Sequence, residues 1–114
     1  VTANRRDPVP RTDNPTKQTR EKNLMWIYGI IDKLAHDVTG TLVTFKTDAQ
    51  AVRFFRDVAL DKNTMVSRHI EDYEIVCYGQ LFPYDIQPHT PAKFVYGGEQ
   101  LATELRARAE EDTK

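Results

Sequence analysis

The residue types able to do chemistry in this 114-residue sequence are few and scattered. Of the three histidines, His36 stands beside Asp37 and His69 close to Glu71 and Asp72, while His89 lies between prolines. None forms the i, i+4 helical pair that holds a zinc ion, so all three read as solvated loop residues. Cys77 falls in a strand-like stretch with no histidine nearby in sequence to activate its thiol, and reads as a small core residue. Glu71-Asp72 followed by Glu74 offers carboxylates for a hard cation or a general acid, yet lacks the glycine and spaced oxygens of a calcium loop. Gly97-Gly98 lacks both the spacing and the lysine of a phosphate loop and reads as a hinge or turn. With no serine, threonine or cysteine placed beside a base, the expectation is a protein that is not an enzyme and carries no metal and no cofactor.

Two sets of residues are better suited to gripping than to catalysis. From Val1 to Lys22, six cations (Arg5, Arg6, Arg11, Lys17, Arg20 and Lys22) face three acids, a net charge of +3 in a chain whose total is −1. Cations on such a segment neutralise phosphates without regard to sequence and in a salt-sensitive way. Trp26, Tyr28, Tyr73 and Tyr78 lie in strand-like stretches. Aromatic rings there stack on bases when they reach solvent and fill the core when they do not. The candidate nucleic-acid-binding set is therefore Arg5, Arg6, Arg11, Lys17, Arg20, Lys22, Trp26 and Tyr28.

The elements that position these residues follow from composition and pattern. At 39% hydrophobic and 29% charged the chain has the make-up of an ordinary globular protein, long enough for one domain. A charge of −1 excludes a bulk polycation. One cysteine excludes an intrachain disulfide and a multi-cysteine zinc site, which fits a reducing compartment. The longest apolar run, Leu24 to Ile31, is far too short to span a bilayer, and the leading residues lack the apolar core of a signal peptide, so no membrane role is expected.

Residues 1–23, with Pro8, Pro10 and Pro15 and no apolar period, read as an extended polar and basic arm. Leu24–Ile31 is a buried strand, Asp32–Gly40 a polar connection, and Thr41–Thr47 a second, partly alternating strand. Thr47-Asp48-Ala49-Gln50 predicts a capping box that starts a helix whose Ala51, Val52, Phe55, Val58 and Ala59 form one apolar stripe. Thr64–Asp72 is a loop, and Tyr73–Phe82 is a third strand in which Gly79 marks a bulge. Pro83, Pro88 and Pro91 imply an irregular crossing in which Phe94–Tyr96 could add a short edge strand. Glu99–Glu110 is a more exposed helix with a narrow stripe of Leu101, Ala102, Leu105 and Ala109. The expected fold is α+β: a three-stranded, mainly antiparallel β-β-α-β sheet in the order 2-1-3 with one packed helix, an extended N-terminal arm and a C-terminal helix. The divisions are 1–23 for the arm, 24–96 for the α+β domain and 97–114 for the C-terminal helix. Apolar residues alternate on both sides of the first strand, so the sheet face away from the packed helix also needs cover, from the terminal helix, a second copy or another protein.

Met25-Trp26-Ile27-Tyr28-Gly29-Ile30-Ile31-Asp32-Lys33, Ala51-Val52-Arg53-Phe54-Phe55-Arg56-Asp57-Val58 and His69–Gly79 stand in the same order as matching stretches of a known family. Over Met25–Phe82 the chain resembles the small accessory protein, labelled nonstructural or DNA-binding, of gokushovirus-like microviruses, which are tailless single-stranded-DNA phages. It departs from that pattern in its leading arm, in Ile70 where a proline is common, and from Pro83 onward. The resemblance carries no catalytic residue. It implies a phage accessory protein that binds single-stranded DNA non-specifically in genome replication or packaging, in the cytoplasm of the infected bacterial host. The alternative is a minor structural virion protein or oligomeric adaptor that contacts the phage capsid protein through its N-terminal arm or associates with itself.

Overall fold

The computed structural model describes residues 24–112, which form four strands and, besides short turns of helix, two long helices. In chain order these are β1 (Met25–Asp32), β2 (Asp37–Phe45), α1 (Asp48–Leu60), α2 (Met65–Arg68), a 3-10 turn (Ile70–Asp72), β3 (Tyr73–Phe82), β4 (Asp85–Gly97) and α3 (Gly98–Asp112). The arm, 1–23, lies outside the described residues.

One antiparallel sheet runs in the order β2-β1-β3-β4. The expected arrangement of the first three strands is present, and the correction is a full fourth strand where an irregular crossing was expected. Pro88 and Pro91 argued against a strand because proline cannot donate to a ladder. β4 is the outermost strand, where a missing donor costs no ladder bond on the open side. β2 also starts earlier than its pattern predicts. The Asp32 carboxylate accepts from the backbone N–H groups of Leu34 and Ala35, and the His36 N–H donates to the Asp32 carbonyl, closing a tight turn with His36 at φ 58°. Most of the expected polar connection is therefore this turn and the first part of a strand.

α1 begins as its capping residues dictate. The Gln50 N–H donates to Thr47 Oγ1 at 3.2 Å, and Gln50 Oε1 accepts from the Lys46 N–H at 2.9 Å, one residue before the cap. Its stripe buries Ala51, Phe55 and Ala59 against Tyr28 and Ile30 of β1 and Tyr73, Ile75 and Cys77 of β3. The same core takes in Val66 of α2, Tyr96 of β4 and Leu101 of α3, so both long helices cover one face of the sheet. The loop expected at 64–72 is correspondingly structured: Thr64 caps α2 through the Ser67 N–H, and the 3-10 turn packs under α3.

Two contacts fix α3. A side-chain methyl at Gly98 would stand 1.7 Å from the Ile70 carbonyl oxygen, so only glycine allows the helix to start this close to the 3-10 turn. Arg56 of α1 donates to Glu104 of α3, and the Tyr96 hydroxyl of β4 donates to the other Glu104 oxygen at 2.8 Å. These bonds hold the Glu104 carboxyl below its ordinary range, the Arg56 bond contributing most and Tyr96 next.

Candidate nucleic-acid interface

The sheet is irregular where it matters for a binding site. β3 pairs Cys77 with Lys93 and Gly79 with Pro88, so 89–92 on β4 face only Tyr78. Gly79 sits at φ 148°, and a methyl on it would stand 2.3 Å from the Gln87 carbonyl oxygen, which accounts for the glycine at the expected bulge. The bulged stretch of β4 carries His89 to the helix-covered side, where its ring lies parallel to that of Trp26 at an interplanar angle of 8° and a centroid distance of 5.8 Å. Trp26 is available because it stands near the start of β1, beyond the part of the strand that α1 seals.

Trp26, His89, Lys93, Asp48 and Cys77 line a cleft of about 290 Å³. Lys93 Nζ pairs with Asp48 Oδ2 at 3.3 Å, and both side chains are about half exposed. The other Asp48 oxygen accepts from the Tyr28 hydroxyl at 2.8 Å. One wall is thus an aromatic pair, the other an ammonium group held by a carboxylate, and the floor is the Cys77 thiol. Burial pushes that thiol up from its ordinary pKa, against a smaller downward pull from hydrogen bonding to the Gly79 backbone. A protonated, buried thiol is a poor nucleophile. The arrangement suits a flat aromatic group lying against Trp26 and His89 with an anionic group near Lys93.

The sequence-predicted residues divide sharply. Arg5, Arg6, Arg11, Lys17, Arg20 and Lys22 lie outside the described residues. Trp26 lines the cleft. Tyr28, next on the same face, has no accessible surface, so its ring offers no face to a base. Burial, then the hydrogen bond to Asp48, keeps its phenol protonated well above the usual range. Tyr28 therefore packs the core and orients Asp48. His89 is not the solvated loop residue its prolines imply, and nothing local in the sequence marks Lys93 or Asp48. Among the described residues no three histidines, cysteines or carboxylates cluster as a metal site, and Glu71 instead lies 3.7 Å from Arg106 of α3. No helix among these residues is long and apolar enough to cross a membrane.

A protein-family model described as "Phage ORF5 protein" matches residues 25–95. The chain belongs to the Phage ORF5 protein family. It is thus a bacteriophage protein, and the family span runs from the first residue of β1 nearly to the end of β4. The segment after Pro83, where the chain departs from the resembling accessory proteins, lies largely inside the Phage ORF5 match, together with every residue lining the cleft. No curated protein and no solved structure matches the chain.

Proposed function

We propose that this Phage ORF5 family protein is a gokushovirus-like accessory protein that binds single-stranded DNA non-specifically during genome replication or packaging in the infected host's cytoplasm. The observation that carries the reading is the parallel Trp26–His89 pair at the cleft with Lys93 beside it. Stacking tolerates any base because every base has a π face, and a lysine meets any backbone phosphate, so such a site binds without reading sequence. The +3 charge of residues 1–22 adds phosphate contacts of the same kind. Binding of this type needs no nucleophile, in keeping with the buried thiol.

Trp26 is the sole tryptophan, so its fluorescence reports the site without ambiguity. Titration with oligo-dT is expected to quench it, and Trp26→Ala is expected to weaken binding by about 1–3 kcal/mol per stacked base. Affinity falls with added salt, and replacing Arg5, Arg6 and Arg11 by alanine flattens that dependence. No quenching, or affinity indifferent to salt, rejects the reading.

The apolar sheet face away from the helices favours a second reading, an oligomeric adaptor or minor structural protein of the virion that reaches the capsid protein through its arm. Mass spectrometry of purified particles tests it, and absence of the chain from virions rejects it.

A further inference from the structure

The face of the sheet opposite α1 and α3 has a composition of its own. Strand register places Met25, Ile27 and Ile31 of β1, Val38 of β2, Val76 and Leu81 of β3, and Ile86 and Phe94 of β4 on it, and Leu42 and Tyr78 join them over Gly29. Val38, Leu42, Leu81, Ile86 and Phe94 keep 46%, 54%, 38%, 48% and 53% of their surface exposed, so most of the large exposed apolar side chains of the described residues share this one face. Val76 is buried yet stands outside the core cluster that the helices seal. In the middle of the face Gly29 has no side chain, and a methyl there would meet Tyr78 Cε2 at 2.8 Å and Leu42 Cδ2 at 2.9 Å. Glycine thus leaves room for the Tyr78 ring and Leu42 to close over β1. Glu74, at one end, is the charged residue that the register adds to this set.

We propose that this face is the interface of a homodimer in which two copies stack sheet on sheet about a two-fold axis. The identity of the occupant follows from three points. Residues 1–23 contain only Val1, Ala3 and Val9 as apolar residues besides proline, too few to cover ten apolar side chains. An occupant must therefore bring an apolar surface of its own and little charge, and the same face of a second copy does both without any complementary pattern. Four strands about 4.8 Å apart and some eight residues long at about 3.3 Å per residue make a face of roughly 500 Å² in plan, so two copies together bury on the order of 1,000 Å², the lower bound for a specific interface. Pairing through the β4 edge is unfavourable, because Pro88 and Pro91 remove donors from it. The inference extends the adaptor reading by naming what covers the face, and it stands apart from the DNA reading, since the Trp26 cleft opens on the other side of the sheet.

The test is the mass of the purified full chain by light scattering and sedimentation equilibrium. The expected result is a particle of twice the 13.2 kDa chain that dissociates on dilution. Leu42→Glu and Phe94→Glu each place a charge at the interface twice over, and each is expected to weaken self-association by at least about 100-fold. Both sites are half exposed, so circular dichroism is expected to show the fold unchanged. Tyr84→Glu, at a fully exposed position in the β3–β4 turn, leaves the dimer intact. A wild-type chain that stays monomeric at about 100 μM, or a dimer that survives both substitutions, overturns the proposal. Neither result bears on whether the chain is found in virions, which particle mass spectrometry decides separately.

Discussion

The two faces of the sheet are built from alternate residues of the same strands and differ in almost everything else. On the covered face Tyr28, Ile75 and Cys77 are sealed by Ala51, Phe55 and Leu101, and the phenols that enter are partnered, Tyr28 with Asp48, Tyr73 with Asp32 and Tyr96 with Glu104. On the other face Leu42, Phe94 and Ile86 remain about half exposed, and among the described residues no helix packs on them. Alternation puts apolar residues on both sides, but among the described residues only one side receives an amphipathic helix. Stability is therefore carried mainly by the helix-covered face, and the other keeps large apolar side chains exposed.

The largest expected effect separates the faces directly. Phe55→Ala removes a fully buried ring from between α1 and the sheet and is expected to cost about 3–5 kcal/mol by chemical denaturation, with the same value at every protein concentration. Leu42→Ala is expected to cost under about 1 kcal/mol in the dilute monomer, and more as concentration rises and the dimer forms. Equal and concentration-independent costs at the two sites break the comparison.

An effect of intermediate size comes from the phenols. Burial raises the pKa of Tyr28, Tyr73 and Tyr96 on the covered face and of Tyr78 on the open one. Their folded values lie above the unfolded value near 10, so their contribution is complete below about pH 10 and is lost as pH rises through the folded values. Stability is expected to fall there by up to about 1.4 kcal/mol per pH unit for each phenol kept protonated by the fold. Tyr28→Phe gives up the bond to Asp48 and costs about 1 kcal/mol at pH 7, yet it flattens the alkaline loss. Tyr78→Phe flattens it without a cost at pH 7, because burial alone shifts that group. Denaturation curves at pH 7 and pH 11 for the two variants distinguish the faces, and identical behaviour counts against the division drawn between them.

What sequence reveals of this fold depends on how local the cause is. The α1 start is legible because Thr47 and Gln50 satisfy backbone groups within four residues. The bounds of β3, Tyr73–Phe82, follow from its alternation and from the glycine at its bulge. β4 is hidden because its prolines are penalised on the assumption of two pairing neighbours, and only the sheet order places it at an edge. The tight turn before β2 is masked by polar residues that equally describe a loop, although Asp32 is the residue that closes it. At the candidate site Trp26 is recognisable by type. His89, Lys93 and Asp48 reach it only through the β4 bulge and the crossing of α1, and no spacing in the chain encodes either. By alternation Tyr28 is equivalent to Trp26, because residues two apart along a strand share a face. What separates them is which of the two α1 covers.

The smallest expected effect on stability is the one most informative about the cleft. The Lys93–Asp48 pair joins two half-exposed side chains at 3.3 Å, and exposed pairs of this kind contribute about 0–1 kcal/mol because water and salt already screen the charges. Lys93→Ala is therefore expected to leave the denaturation midpoint nearly unchanged. If the cleft holds a backbone phosphate near that ammonium, the same substitution removes one counterion-releasing contact, and the slope of log affinity against log salt for oligo-dT falls by about 0.7 in magnitude. Lys93→Arg keeps the charge and is expected to keep the slope. A change in stability without a change in slope assigns Lys93 to holding α1 against β4, whereas a change in slope without a change in stability assigns it to the ligand. Because the aromatic pair is untouched in all three proteins, Trp26 quenching at saturation serves as the internal control that the cleft itself has not collapsed.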